Sequence, residues 1–239
     1  MENEYKIDFS PSKIDLKKIE DWLIQERKIY DDGFYCNWNI IKNSFERNGL
    51  ISLKLNETPI GFVVWRQYDF FIEIDIMEIH YDYRRKGLGR IFFETISEAY
   101  KAKGVLAIEL FCEPRVSEHF WRKMGFIQFP IRGYSESDLT FYKPLIEVCE
   151  TTETPNELNK IELWDVEPYQ SKKKTPRWCW DVKTQEGKLV NPIIQACNMN
   201  WNIRWTKNGK IEKESKVKYF SEDNPIDFSP FIYIQKLDD

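Results

Sequence analysis

A basic, glycine-containing segment at residues 81–90, YDYRRKGLGR, stands directly before an apolar run with helical spacing. Three consecutive basic residues, 84–86, precede Gly87 and Gly89, and Arg90 follows them. The first turn of an α-helix carries four backbone N–H groups without partners and a partial positive charge. Glycine has no Cβ that would keep an anion away from those N–H groups. The segment therefore predicts a helix N-terminus that binds a diphosphate.

The same segment does not match two well-known phosphate-binding patterns. The P-loop sequence G-x-x-x-x-G-K-[ST] is absent, and the G-x-G at residues 87–89 lacks the third glycine of the dinucleotide-binding pattern. These residues alone leave a basic surface turn as the alternative, so the flanking segments have to decide the ligand.

Histidines and cysteines are too few and too scattered for several other chemistries. The chain has only His80 and His119, which excludes a histidine-rich metal centre and argues against a Ser-His-Asp triad. No two cysteines have C-x-x-C spacing, and their odd number argues against a disulfide framework. We therefore expect no metal ion. The cysteines are Cys36, Cys112, Cys149, Cys179 and Cys197.

Composition and charge indicate a soluble globular protein. Hydrophobic residues make up 42% of the 239 residues and charged residues 31%, with both signs mixed, which is unlike a disordered chain. The net charge of −4 argues against a general polyanion binder. No apolar stretch reaches the ~20 residues that span a bilayer, and the first residues lack the form of a signal peptide. We expect a cytoplasmic protein that binds neither membranes nor nucleic acid.

Hydrophobic periodicity predicts the elements that must position the basic segment. Residues 11–47 predict two helices, and strand patterns follow at 50–56, 60–68 and 70–79. Strict alternation in the last strand would place one set of side chains on one face and a second set on the other. The first set is Glu73, Asp75, Met77 and Ile79, and the second is Ile72, Ile74, Ile76 and Glu78.

Helices and strands alternate further along the chain, which predicts a mixed α/β fold with a central sheet flanked by helices. The predicted elements are a helix at 89–103, a buried strand at 105–111, a helix at 117–124 with Ser117 as its N-cap, and strands at 125–129 and 139–145.

The sequence changes character after these elements. Residues 147–159 are acidic, threonine-rich and poor in large apolar side chains, so we predict a linker there. Residues 160–239 consist of short alternating runs and predict a small β-rich domain, with a hairpin turn at Asn208 and Gly209. The first domain would then span residues 1–146.

Tryptophan is concentrated in the predicted β-rich domain. Large aromatic side chains fill a thin core, and the alternation within residues 178–182 and 201–205 predicts a buried sheet face. Contact with a substrate or partner is a weaker alternative, and stacking on single-stranded nucleic acid beside the basic run at 171–180 is weaker still. The run VKYF at 217–220 also predicts a strand. The tryptophans are Trp164, Trp178, Trp180, Trp201 and Trp205.

Three short motifs stand in a fixed order: IHYDYR at 79–84, RRKGLG at 84–89 and FWRKMGF at 120–126. With these motifs, residues 50–145 resemble the GNAT superfamily of acyl-CoA-dependent N-acyltransferases. That family writes them as V-x-P-x-x-R, [R/Q]-x-x-G-x-[G/A] and F-Y-x-K-L-G-F. The resemblance implies a GNAT-type mixed sheet and acetyl-CoA as the acyl donor.

The resemblance also assigns residues to CoA. Ile79 and Tyr81 would pair their backbones with the pantetheine arm as if it were an added strand. The Ile79 N–H would donate to the oxyanion that forms on the thioester carbonyl. Ser117 is a substitute for an asparagine of the family. The loop that would hold the pyrophosphate comprises Arg84, Arg85, Lys86, Gly87, Leu88, Gly89 and Arg90.

A further implication of the resemblance is direct attack of a primary amine on the thioester, without an acyl-enzyme. Glu73 lies six residues before Ile79, the offset of the glutamate used by histone-acetylating members, and is the predicted base. Asp75 is the alternative, acting directly or through a water, and Glu78 ranks third.

One position departs from the family. Trp121 stands where many members have a tyrosine that protonates the leaving thiolate, and an indole cannot act as that acid. Another tyrosine or a water would have to act instead, or the thiolate would leave unprotonated. The candidate tyrosines are Tyr83, Tyr134 and Tyr142.

The sequence thus predicts an acetyl-CoA-dependent N-acetyltransferase with an unidentified amine acceptor. The alternative is a catalytically inactive GNAT-fold module that binds CoA or a protein partner. The sequence also allows a homodimer.

Overall fold

The computed structural model describes residues 5–31, 33–133, 138–220 and 230–237. The α-helices within them are α1 (Lys13–Tyr30), α2 (Trp38–Glu46), α3 (Leu88–Ala102), α4 (Glu118–Lys123) and α5 (Pro168–Ser171). The strands are β1 (Tyr5–Asp8), β2 (Leu50–Leu55), β3 (Thr58–Gln67), β4 (Phe71–Ile79), β5 (Ala107–Phe111), β6 (Ile127–Gln128), β7 (Thr140–Pro144), β8 (Lys160–Leu163), β9 (Trp178–Asp181), β10 (Thr184–Gln185), β11 (Lys188–Ala196), β12 (Asn202–Lys207), β13 (Lys210–Lys216) and β14 (Phe231–Lys236).

Most of the elements predicted from periodicity are present, with ends shifted by a few residues. The short strand β1 and the long strand β11 were not predicted. The strand prediction at 217–220 is wrong, because Val217–Tyr219 forms a 3₁₀ turn. Val217 and Phe220 are both buried, and a spacing of three places two side chains on one side of such a turn.

The first sheet within the described residues has the strand order β1-β2-β3-β4-β5-β7-β6. Strands β1 to β4 pair antiparallel with their neighbours, whereas β4 and β5 pair in parallel. Parallel neighbours need a crossover connection, and α3 provides it. The prediction of a mixed α/β fold with a central sheet is confirmed.

A buried ion-pair cluster fixes the start of α1. The Ser12 hydroxyl caps the helix by accepting from the Asp15 N–H, and the Asp15 carboxylate accepts from the Ser12 backbone N–H. The Lys54 ammonium lies 2.9 Å from the Asp15 carboxylate and 2.7 Å from that of Asp8. One cation therefore joins β1, β2 and α1.

Strand β4 contains a β-bulge at Asp75. In its pairing with β3, Ile76 lies opposite Val64 and Ile74 lies opposite Trp65, so Asp75 has no opposite residue of its own. Val64 and Trp65 are consecutive in β3 and therefore point to opposite faces of the sheet. It follows that Ile74 and Ile76 also point to opposite faces.

Side-chain contacts agree with this change of face. Val64 and Ile76 belong to the core that α1 and α2 cover, together with Ile19, Trp22, Leu23, Ile41, Leu50 and Phe62. Trp65 instead packs edge-on against Tyr100 of α3, with ring centroids 4.7 Å apart. Before the bulge the even-numbered side chains of β4 face α3, and after it the even-numbered side chains face α1 and α2.

The bulge overturns the prediction that Glu73 and Ile79 share one face. Glu73 lies opposite Arg66, the residue after Trp65, and so points to the α1 and α2 side. Ile79 lies near Gly89 of α3, on the other side. A single extra residue shifts the alternation by one, so the side chains that precede the bulge in β4 point to the opposite faces from those expected.

Residue contacts divide the chain into two compact units, Met1–Ile127 with Phe141–Leu145, and Gln128–Thr140 with Ile146–Asp239. Within the described residues of the second unit, one sheet has the order β10-β11-β14 and another the order β13-β12-β8-β9. The predicted domain limits at residues 146 and 160 stay a prediction.

One hydrophobic core fills the second unit, and it contains the side chains that were predicted to alternate. Trp180, Trp201, Ile203 and Trp205 are buried in it, and Trp178 packs against it. The predicted hairpin turn is also present between β12 and β13, where Asn208 and Gly209 have positive φ angles of 51° and 76°.

Candidate active site

Residues 75–79 of β4 have an edge that β5 does not cover. Pairing between β4 and β5 runs from Phe71 opposite Ala107 to Ile74 opposite Leu110. Beyond the bulge, in the part of the chain that the structure describes, β4 continues with β3 as its only paired neighbour. We call the side of residues 75–79 that faces away from β3 the free edge.

Two residues direct their backbone groups to the free edge. The His80 N–H donates to the Ile60 carbonyl at 2.8 Å, so His80 exchanges hydrogen bonds on the β3 side. In an antiparallel pair, alternate residues turn both backbone groups to the partner or away from it. The N–H and C=O of Met77 and Ile79 therefore point away from β3, where an extended ligand could pair with them.

Helix α3 begins close to the free edge. Gly87 is its N-cap, with a positive φ of 80°, and no side chain within the described residues caps the first turn. A Cβ built on Gly89 would lie 3.7 Å from Ile79 and 3.6 Å from Phe120. The first-turn N–H groups and the free edge are thus neighbours, as the predicted diphosphate and pantetheine sites require.

The basic residues of the loop differ in what they contact. Lys86 donates to the Asp82 carbonyl at 2.8 Å, and Arg90 pairs with Glu94 one turn along α3 at 2.8 Å. Arg85 is exposed and has a positive φ of 62°. Leu88 is buried and anchors the helix start in the core. The charges of residues 85, 86 and 90 remain at the surface, where an anion can approach them.

The Arg84 side chain is 44% exposed, but its described donors contact acidic side chains and a backbone carbonyl. Its Nε donates to the Ile79 carbonyl at 2.8 Å, and its Nη2 pairs with Glu26 of α1 and Glu78 of β4. Both carboxylates are buried, at 2% and 8% exposure. The guanidinium therefore connects three elements of the first unit.

A second arginine cluster, around Arg66, includes the bulge residue Asp75 and Glu73, which precedes it in β4. Arg66 donates to both oxygens of Asp75, at 2.6 Å and 3.0 Å, and to Glu73 at 3.0 Å. The Tyr68 hydroxyl donates to the other Glu73 oxygen at 3.0 Å. Burial and this hydrogen bond raise the pKa of Tyr68, which keeps it protonated near neutral pH. Glu73 and Asp75 therefore lie together and accessible, and each accepts hydrogen bonds.

A family of known proteins matches part of the chain. Residues 15–126 match the model of the acetyltransferase (GNAT) family. The chain contains a GNAT domain. No curated protein sequence matches the chain.

Several solved structures are similar to the chain, at low identity. Ard1 from Thermoplasma volcanium has 16% identity and a TM-score of 0.46, over 60% of this chain and 99% of that one. The PaiA N-acetyltransferase from Thermoplasma acidophilum, in complex with coenzyme A, has 20% identity and a TM-score of 0.47, over 59% and 99%. The ribosomal-protein-S18-alanine N-acetyltransferase from Escherichia coli has 17% identity and a TM-score of 0.44, over 63% and 100%.

Distances along β4 restrict how the GNAT domain could use its predicted catalytic groups. Glu73 and Ile79 lie opposite Arg66 and Gly61, five residues apart in β3. At about 3.3 Å per residue the two positions are about 17 Å apart, further than a glutamate side chain can span. At this distance Glu73 could take a proton from an amine that attacks a carbonyl held by the Ile79 N–H only through a chain of waters.

Met77 is a further residue of the free edge that the sequence analysis did not single out. It lies opposite Val63, only three residues from Arg66 along β3, or about 10 Å from the level of Glu73. A glutamate side chain and one water can bridge that distance. The alternation of polar and apolar residues does not show which backbone N–H groups lie at the free edge, because their direction depends on the pairing of β4 with β3.

Trp121 of the GNAT domain belongs to an aromatic cluster. Its ring lies 4.9 Å from Phe120, 5.2 Å from Phe126 and 5.6 Å from Phe93, measured between centroids, and it is 7% exposed. These contacts give it a packing role between α3 and α4. The indole cannot supply the proton that the family's tyrosine supplies.

The tyrosine candidates for that proton differ in accessibility. Tyr142 of β7 is buried, at 4% exposure. The Tyr83 ring is partly exposed beside Lys86, whose ammonium lies 5.2 Å from it. Tyr134 lies outside the described residues. Of the two described candidates, Tyr83 is the more accessible.

Two further predicted contacts also have local partners. The Ser117 hydroxyl lies 3.3 Å from the Cys112 thiol, and no side chain caps α4 within the described residues. Burial raises the pKa of Cys112, so its thiol stays protonated. The Tyr81 ring stacks on His80 at 4.3 Å and meets Tyr30 at 5.6 Å. Tyr81 stands where the family motif has proline and so retains an N–H donor.

The described residues contain neither a cluster of metal-binding side chains nor a helix that could span a membrane. No group of three or more histidine, cysteine, aspartate or glutamate side chains there could hold a metal ion. In the same residues, the helices are all too short or too polar to cross a membrane.

Proposed function

We propose that the protein is an N-acyltransferase that moves an acetyl or related acyl group from CoA to a primary amine. The observation that carries the proposal is the free edge of β4 beside the uncapped first turn of α3, within a GNAT domain. CoA combines a diphosphate with an extended amide arm, and these two features fit those two groups of hydrogen-bond donors and acceptors.

CoA would bind in two parts. The diphosphate accepts hydrogen bonds from the first-turn N–H groups of residues 87–90, with Arg85, Lys86 and Arg90 adding positive charge. The pantetheine arm pairs with Met77 and Ile79 along the free edge and ends with its thioester near the bulge. Ser117 and Tyr81 are further contacts proposed from the family motifs.

The reaction would be a direct transfer. The free amine attacks the thioester carbonyl, a C–N bond forms, and the C–S bond breaks as the tetrahedral intermediate collapses. The amine loses one proton to a base, and the departing thiolate takes one proton. An alkyl amine with a pKa of about 10.4 is mostly charged at neutral pH, so a base near the amine accelerates the attack.

We assign the base to Glu73, with Asp75 as the alternative. Both oxygens of Glu73 accept hydrogen bonds, so the amine or a water has to displace Arg66 or Tyr68 from one of them. The distances along β4 favour the Met77 N–H over that of Ile79 as the oxyanion donor. The proton for the thiolate is assigned to Tyr83 or a water, because Trp121 has none to give.

Thiol release is the direct test of the proposal. The purified full-length protein is incubated with acetyl-CoA and a panel of amines, peptides and aminoglycosides, and free CoA thiol is measured with a colorimetric reagent. We expect release that depends on one class of acceptor. No release with any acceptor, in a protein that binds CoA, would contradict the enzymatic proposal.

The diphosphate site can be tested separately at Gly89. This residue is helical and a Cβ there makes only ordinary contacts, so Gly89→Asp should fold, and its charge suits a helix N-terminus. The same charge repels a diphosphate, so we expect CoA affinity to fall at least about tenfold. Gly89→Asn is the uncharged control of equal size and should lose much less. Equal losses would contradict an electrostatic contact with the diphosphate.

A second candidate function is a GNAT-fold module that binds CoA without turnover. Two observations favour it: Trp121 is packed into the core, and both oxygens of Glu73 are already hydrogen-bonded. Tight CoA binding by calorimetry without thiol release would support the module.

A further inference from the structure

We propose that Arg84 is a positioning residue that holds the end of β4 and the glycine loop against α1, and that it is not a ligand of the diphosphate. The inference rests on the proposed use of CoA. It changes the role that the family motif implies for the first basic residue of RRKGLG, and it brings Glu26, which lies outside that motif, into the site.

The Arg84 guanidinium contacts three elements at once, and we call its contacts with Ile79, Glu26 and Glu78 the bracket. Nε donates to the Ile79 carbonyl at 2.8 Å, and Nη2 pairs with Glu26 and Glu78. A planar guanidinium can donate in several directions at once, which a lysine ammonium on a flexible stem cannot do with the same geometry. Arg84 therefore fixes α1, β4 and the loop relative to one another.

The charges around Arg84 are unfavourable for a diphosphate. One guanidinium stands between two carboxylates that are buried at 2% and 8% exposure. A diphosphate would have to compete with these two carboxylates for the same guanidinium, and drawing it away from buried carboxylates is disfavoured. Arg85, which is exposed and makes no ion pair in the described part of the chain, has no such obstacle.

The bracket has a consequence for the acyl donor. Because Arg84 takes up one of the two lone pairs of the Ile79 carbonyl, pantetheine shares that acceptor with Arg84 but has the Met77 carbonyl to itself on the free edge. The bracket thus favours one register of the donor along the free edge, and it depends on a residue of α1.

Two variants separate the bracket from a diphosphate contact. In Arg84→Lys the positive charge remains, so a phosphate ligand would be largely preserved, whereas the bracket is lost. In Glu26→Gln a negative charge near the loop disappears. Electrostatics alone then predicts tighter binding of an anion, whereas loss of the bracket predicts weaker binding.

The measurement is CoA affinity by calorimetry on the full-length protein, with thermal melting to verify that each variant is folded. We expect both variants to bind CoA at least about tenfold more weakly. In turnover, the KM for acetyl-CoA should rise while the KM for the amine stays unchanged. Unchanged or tighter CoA binding by folded Glu26→Gln would overturn the bracket, as would wild-type affinity in Arg84→Lys. If Glu26→Gln does not fold, Arg84→Lys decides.

Arg85→Asn is the matched control, because asparagine tolerates the positive φ at that position. Its CoA affinity should fall with a reduced dependence on salt, as for a lost phosphate contact, while Arg84→Lys should keep the wild-type salt dependence. A reduced salt dependence in Arg84→Lys together with wild-type salt dependence in Arg85→Asn would instead assign the diphosphate contact to Arg84. Failure of the wild-type protein to bind CoA would instead refute the proposed function and is distinguishable from all of these outcomes.

Discussion

Two arginines of the first unit each stand between two carboxylates, and the two clusters differ mainly in burial. Arg84 joins Glu26 and Glu78, whose side chains are 3% and 9% exposed. Arg66 joins Glu73 and Asp75, whose side chains are 26% and 17% exposed. The two arginine side chains are equally exposed, at 44% and 43%, so the clusters differ in the burial of their carboxylates.

The difference indicates separate roles. A buried carboxylate that loses its cation has no water to replace it, so the Arg84 cluster is held together firmly. An accessible carboxylate can exchange its cation for water or for a substrate amine at small cost. The Arg66 cluster is therefore suited to chemistry and the Arg84 cluster to positioning.

The largest effect on stability should come from the buried cluster. Arg84→Gln removes the guanidinium that two buried carboxylates share and, because that guanidinium is itself partly exposed, should lower the free energy of unfolding by about 2 kcal/mol. Arg66→Gln, the matched change in the accessible cluster, should lower it by less than about 1 kcal/mol. Both values come from urea unfolding followed by fluorescence. Equal losses would remove the distinction between the clusters.

The largest effect on turnover should come from the accessible cluster. Glu73→Gln keeps the size of the side chain and removes the base, so we expect kcat to fall by about 100-fold or more at neutral pH. Activity should recover in part at higher pH, where more of the amine is uncharged. Asp75→Asn is the comparison and should lose less. Wild-type rates in Glu73→Gln would exclude it as the base.

A third cluster of one cation and two carboxylates, Lys54 with Asp8 and Asp15, extends the comparison to acid stability. Burial alone raises the pKa of Asp15, but hydrogen bonds from Lys54 and Ser12 outweigh it and hold the pKa below 3.8. The pKa of Asp8 is likewise lowered by Lys54 and Ser10 against its burial.

A carboxylate whose pKa is lowered by folding stabilises the protein above its unfolded pKa and stops doing so as pH falls through the folded value. Stability should therefore decline below about pH 4. Lys54→Met should flatten that decline, as measured by thermal melting between pH 2 and pH 6. An unchanged slope would show that these aspartates do not contribute.

The smallest effect should come from Tyr68→Phe, which removes one hydrogen bond to Glu73. Because the site is accessible, water can replace the hydroxyl. The free energy of unfolding should therefore fall by about 0.5–1 kcal/mol at most. A shift in the pH dependence of turnover is expected as well, since one Glu73 oxygen becomes available. A loss of turnover as large as that of Glu73→Gln would assign Tyr68 a direct role in proton transfer.

Local patterns predicted much of the fold because their signals are short-range. The glycines before α3, the helical spacing inside it and the Asn208–Gly209 turn act within a few residues, and all three features are present. Strand β1 was missed because its burial depends on pairing with β2, which lies far along the chain. The run at 217–220 was misread because Val217 and Tyr219 alternate as in a strand, whereas the buried pair is Val217 and Phe220, three residues apart as in a 3₁₀ turn.

The candidate site was predictable in part, for a similar reason. The sequence indicated a glycine-containing helix start and the acidic residues of β4, and the structure shows each on the element that was predicted to carry it. It did not indicate the faces of Glu73 and Ile79, because a bulge leaves no clear mark in the alternation of polar and apolar residues.

By itself, the sequence determined the order of elements, the helix start that suits a diphosphate and the resemblance to a GNAT domain, since motifs and periodicity are properties of neighbouring residues. Only the tertiary structure decided that Arg84 turns to Glu26, that Arg66 gathers Glu73 and Asp75, and that Met77 and Ile79 line the free edge. These arrangements depend on strand register and on contacts between residues far apart in the chain, which no local pattern specifies.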